Sequence, residues 1–152
     1  MVGRREDLLR SEDQGWAELH SLLDALLPRQ MLDLGLTPEG WSVKDLLWHL
    51  GAWWAEAVIM LERIRAGTYD RKDEATSVDE LNARFLEEGR RLDLATVKPE
   101  LYAARNQALL GFAAVPEVTP EAEEWFRESG PEHYQEHMAD LRTWVGKLTS
   151  AG

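Results

Sequence analysis

Three of the four histidines in this chain have the residue type and spacing that metal chemistry needs. His133 and His137 are four residues apart, which on a helix puts both imidazoles on one face about one turn apart. That face continues through Leu141, Trp144 and Leu148, an apolar stripe, so both rings are expected to point inward. His49 lies between Leu46, Leu50 and Trp53 and belongs to the inward face of another helix or to its edge. Three inward imidazoles are costly if charged or unpaired. A divalent ion satisfies all three and leaves positions for water or substrate. Zinc, nickel, copper and iron all suit such a set. The competing reading makes each histidine a core residue hydrogen-bonded to a neighbour. His20, between Trp16 and Leu23, reads as a surface or edge residue.

The elements that must position these residues are helices, since apolar positions recur at helical spacing and no alternating strand stands out. The first is expected over Arg4–Leu27, stopped by Pro28. The second opens at Ser42, an N-cap with Asp45 three residues on. Trp41 and Leu46 sit at hydrophobic-staple positions, and the helix runs to Gly67. Residues 68–76 read as a loop. Ser77-Val-Asp-Glu80 is a capping-box pattern that opens a third helix with Val78, Leu81, Phe85 and Leu92 inward. A break near Leu94–Thr96 precedes a helical segment from about Val97 to Ala114, because Pro99 is best tolerated in a first turn. Thr119-Pro120 starts a short helix, and Gly130-Pro131 separates it from a last helix ending near Leu148. These elements imply an all-α fold, an antiparallel up-down-up-down four-helix bundle in a single domain over residues 1–152.

In such a bundle the second and fourth helices run the same way. His49 is then about 10 Å along its helix and His137 about 9 Å along its own, at the usual rise per residue. The three rings are expected in one layer near the bundle end. A pocket is expected beside them, lined by Trp53, Glu56 and Asn82. Glu56 can serve as an acid or base or pair on the surface. Asn82 can line the pocket or bond a helix backbone.

Composition excludes several classes. The net charge is −11, from 28 acidic and 17 basic residues, which repels phosphate backbones and argues against nucleic-acid binding. No apolar run reaches the roughly 18 residues that span a bilayer, and nothing resembles a signal peptide. The absence of cysteine removes thiolate chemistry and is compatible with a cytoplasmic location. His133-Tyr-Gln-Glu-His137 matches the inverted zinc-protease pattern, but the distal acidic ligand of such an enzyme is missing.

Three segments carry a family resemblance. They are Gly40-Trp-Ser-Val-Lys-Asp-Leu-Leu-Trp-His49-Leu-Gly-Ala-Trp53, Val78-Asp-Glu-Leu-Asn82-Ala-Arg-Phe, and His133-Tyr-Gln-Glu-His137-Met-Ala-Asp-Leu-Arg-Thr-Trp144. With the leucine-rich first helix they make the chain resemble the DinB/YfiT-like metalloenzyme superfamily, and within it the DfsB group related to the colibactin self-resistance protein. The resemblance implies a four-helix bundle, frequent dimers, and a zinc, nickel or similar ion on His49, His133 and His137. It also implies a small-molecule transferase, isomerase or hydrolase, some members being thiol-dependent. The segment before the last helix lacks the Trp-Thr-Gly loop common in the DfsB group, which leaves the substrate open.

The expected function is therefore a metal-dependent small-molecule enzyme. The alternative is a metal-independent binding or resistance module that uses a Trp-lined cavity. A homodimer is expected from a second apolar face on the second helix, formed by Trp48, Ala52, Ala55 and Ile59 beside Gly51.

Overall fold

The computed structural model describes residues 3–71 and 77–150, and among them every regular element is helical. The elements are α1 (Arg4–Leu23), a 3-10 turn (Pro28–Leu32), α2 (Val43–Ala66), α3 (Val78–Arg90), α4 (Leu94–Ala114), α5 (Pro120–Ser129) and α6 (Pro131–Ser150). Residues 72–76, part of the expected loop, lie outside the described residues.

Local chemistry explains most boundaries. Ser42 Oγ accepts from the Asp45 amide at 3.1 Å, and the Asp45 carboxylate accepts from the Ser42 amide at 2.9 Å, a complete capping box. Ser77 Oγ, Asp93 Oδ1 and Thr119 Oγ1 each accept one amide at the starts of α3, α4 and α5. Gly67 ends α2 with φ +76°, the left-handed conformation that glycine adopts without strain.

Two boundaries differ from the sequence expectation. α1 stops at Leu23, not Leu27. Pro28 disfavours helical geometry at the residue before it, and Leu27 is extended, with ψ 152°. α4 begins at Leu94, so Pro99 lies beyond its first turn. The bond that Pro99 cannot donate would have reached the carbonyl of Ala95, an exposed residue where water can serve instead.

Residue pairs fix the helix directions. Gly51 packs on Leu101 and Gly111 on Leu61, so α2 and α4 run parallel. Trp54 meets Gly130 while His49 meets His133 and His137, so α6 runs against α2. Gly15 packs on Tyr134 and Glu18 pairs with Arg142, so α1 and α6 run together. Arg5 bonds the Ala113 carbonyl and Glu12 holds Arg105, so α1 opposes α4.

The strict alternation expected from the sequence is thus not the order these contacts give: α1 and α6 point one way, α2 and α4 the other. The reason lies at Arg91–Asp93, where the chain reverses instead of kinking. α3 returns along α2, with Trp53 bonded to Asn82, Trp48 on Gly89 and Lys44 at the Leu92 carbonyl. α4 then starts again from the same end as α2.

α2 is the central element, covered by α4, α3 and α5. That accounts for much of its apolar circumference. Trp48 is half-buried against α3, and Gly51 lets the α4 backbone approach, since a Cβ there would sit 3.2 Å from the Leu101 Cα. Ala55 and Ile59 remain exposed. Trp54, Phe112, Phe126 and Tyr134 fill the core, with Phe112 and Phe126 stacked at 4.1 Å. No helix among the described residues is long and apolar enough to cross a membrane.

Candidate metal centre

The Ser42–Asp45 cap sets where α2 begins and so the azimuth of everything after it. His49, Trp53, Glu56 and Met60 fall at helical spacing on one face, and all four line a single cavity of about 1040 Å³. α3 closes one side with Leu81 and Asn82, and α6 the other with His133 and His137.

The three histidines meet. Their candidate ligand nitrogens, one from each ring, lie within 4.8 Å of one another. Nε2 of His133 is 2.9 Å from Nε2 of His49, and the ring centroids are 4.7 Å apart. His137 stands 5.1 Å from His49 and 5.0 Å from His133, centroid to centroid. They meet for a reason other than the one expected, because α2 and α6 are antiparallel. α5 and α6 form one column broken at Gly130. The first turn of α6 therefore starts partway along α2, beside Trp54, rather than at an end. A side chain at Gly130 would collide with the Trp54 ring at 2.5 Å.

Burial sets the electrostatics. It lowers His49 from 6.5 to about 3, with the nearby His137 charge adding to the effect. It lowers His133 to about 2, helped by His49 and His137. The Ser129 carbonyl pulls the other way without reaching proper hydrogen-bond geometry. His137 is lowered too, chiefly by burial, with Asp140 opposing. The rings are thus neutral near pH 7 and have lone pairs to give. Nδ1 of His49, Nδ1 of His133 and Nε2 of His137 are buried with no hydrogen-bond partner. Buried polar atoms are rarely left so. Three neutral imidazoles with one nitrogen each within 4.8 Å of the others fit a divalent ion, and no carboxylate joins them in the candidate ligand group.

Compared with known proteins, the chain matches no family model, no curated protein and no solved structure.

The other predicted residues take definite places. Trp53 donates its indole N–H to Asn82 Oδ1 at 2.8 Å and meets Phe85 edge-on. Asn82 therefore bonds a side chain, not a helix backbone. Glu56 is half-buried on the cavity wall with no ion pair among the described residues. His20 is elsewhere, between the Trp16 carbonyl at 3.1 Å and the Tyr102 hydroxyl at 3.3 Å. Glu136, the acid of the His133–His137 run, is exposed and lines the cavity, and its carboxyl is raised by partial burial and by Glu132.

Two features escaped the sequence reading. Trp41, read there as a staple residue, lies 5.0 Å from the His49 ring and stacks on His137 at 6.3 Å. Its place just before the α2 cap was the available signal. Behind the histidines runs a buried polar chain. Arg105 grips Glu12 with two bonds of 2.7 Å, Tyr134 donates to Glu12 at 2.8 Å, and Trp54 donates to the Tyr134 hydroxyl at 2.9 Å. Burial, then Glu12, raises Tyr134 well above its ordinary value, so it stays a donor. Tyr134 follows His133 directly and ties the first turn of α6 to α1 and α2.

Proposed function

We propose that this chain is a divalent-metal-dependent enzyme acting on a small molecule, with His49, His133 and His137 as its metal ligands. One observation carries this reading: three imidazoles from two helices, two of them buried and one partly buried, bring one ring nitrogen each within 4.8 Å of one another beside a cavity large enough for a small organic molecule. A bound ion would supply Lewis acidity and lower the pKa of a bound water or thiol. The chain's own residues do the rest. Trp41 shields the imidazoles, Trp53 offers an apolar wall because its N–H is held by Asn82, and Glu56 can exchange a proton with a bound molecule.

The same reading extends to membership of the DinB/YfiT-like superfamily, with α1, α2, α4 and the α5–α6 column as the four columns of the bundle. Zinc or nickel is the proposed ion, a thiol the proposed co-substrate, the cytoplasm the proposed location and a homodimer the proposed assembly. Exposed Ile59 on α2 supports the dimer. A second reading has one observation in its favour: His49 and His133 already share a hydrogen bond at 2.9 Å, as they would in a metal-independent binding module.

Elemental analysis after purification without added metal tests the proposal. About one ion per chain is expected. His49→Ala and His137→Ala should empty the site, and His20→Ala should not. Equal metal in all three variants would overturn the assignment. Light scattering separately tests the dimer.

A further inference from the structure

The cavity beside the histidines has a marked electrical sign. Seven carboxylates line it against two arginines. Both arginines already face acids: Arg71 is 2.9 Å from Glu124, and Arg84 is 3.6 Å from Glu88. Arg127 reaches Glu132 at 3.2 Å. Glu56, Glu136 and Asp140 have no ion pair among the described residues. Even a dication on the histidines would leave the wall negative.

The arrangement follows from α6. His133 and His137 form one stripe, and Glu132, Glu136 and Asp140 form the stripe beside it, again at intervals of four. Both stripes face the cavity. His49 and His133, each only 6% exposed, line the same cavity, so the acids stand beside the candidate metal ligands. Trp41, Trp53 and Trp125 supply ring surfaces on the same walls. Aromatic faces and carboxylates attract the same kind of guest, a positive charge on an apolar body. Glu128 is raised, first by burial and then by the neighbouring Glu124, as a carboxylate crowded by others should be.

We propose that the small molecule bound here is an organic cation, a protonated amine or quaternary ammonium. Its charge sits among Glu56, Glu132 and Glu136, and its apolar body lies on the tryptophans. The proposal rests on the cavity being the substrate site and names the substrate class. A single surface carboxylate would not select such a guest, but a walled cavity of one sign focuses the field.

The test uses three probes of similar shape: 2-phenylethylammonium, 2-phenylethanol and 3-phenylpropionate. Each is titrated calorimetrically into the full chain, with zinc and after chelation. The cation should bind at least about tenfold more tightly than either other probe, a margin that a few aromatic and carboxylate contacts can supply. The advantage should shrink as salt is raised. Glu132→Gln/Glu136→Gln should remove most of it, leaving zinc stoichiometry and 2-phenylethanol binding unchanged. Glu87→Gln, on the outer face of α3, should leave it intact. Equal binding of the three probes, tighter binding of the anion, or an undiminished preference in the double variant would overturn the proposal. Zinc stoichiometry is read separately. A chain that holds zinc without preferring the cation refutes this inference alone, and one that prefers the cation without holding zinc refutes the metal assignment alone.

Discussion

Two buried polar clusters lie side by side in this molecule, and they are finished to different degrees. Glu12, Arg105, Tyr134 and Trp54 form a closed set in which the carboxylate, the hydroxyl and the indole N–H all have partners. His49 and His133 are buried and His137 partly so, yet each keeps a buried nitrogen with nothing to bond. Satisfied networks hold a structure in one arrangement, whereas unsatisfied ones mark where something else binds. Tyr134 and His133 are neighbours in sequence, so the closed cluster anchors the turn that carries the open one.

The largest break in this contrast should come from Arg105→Ala. It strands the fully buried Glu12 charge, and the loss should be about 3–5 kcal/mol, read from the denaturant midpoint. A smaller loss would mean that Glu12 takes up a proton or finds water. Zinc should act in the opposite direction on the open cluster. At a hundred times its dissociation constant it should stabilise the chain by about 2.7 kcal/mol, and His49→Ala should abolish the gain. Thermal melts with and without chelator check this. Tyr134→Phe should cost about 1–3 kcal/mol, since the Trp54 N–H loses its acceptor.

The smallest effect is expected from His49→Leu/His133→Leu in the metal-free chain, within about 1 kcal/mol at pH 7, because both partners of a lone contact leave together. Its signature is in the pH dependence. The folded rings resist protonation, while unfolded histidine takes a proton near 6.5. The unfolded state therefore gains protons first as pH falls, and the metal-free parent should lose stability below about 6.5. The double variant should lose most of that slope. An identical acid profile in both chains would show that the histidines are not held neutral.

Local signals were legible in the sequence because their physics is local. Ser42 with Asp45 and Thr119 with Pro120 name helix starts wherever the helices go. The histidine set was legible because a four-residue interval fixes a shared face. Helix direction was not, since apolar periodicity reads the same in a parallel as in an antiparallel pair. Asp93 could have warned of a reversal, but a cap also fits a kink. Glu12 was hidden for another reason. In a run of Arg10-Ser-Glu-Asp-Gln14 it looks like one more solvated charge, and its partners lie 93 and 122 residues away.

The parallel course of α2 and α4 bears on how the chain reaches this state. Gly51 with Leu101 and Leu61 with Gly111 are both fifty residues apart, so the most extensive helix pair can form only after a long stretch of chain has closed on itself. Loop-closure entropy grows slowly with length, by about 0.6 kcal/mol per doubling, so this order takes little from equilibrium stability. Its weight falls on speed. Contacts of such separation slow folding relative to a bundle of simple hairpins. The α2–α3 hairpin closes over a shorter stretch, Trp53 and Asn82 being 29 residues apart, whereas the histidine layer joins His49 to His133 across 84.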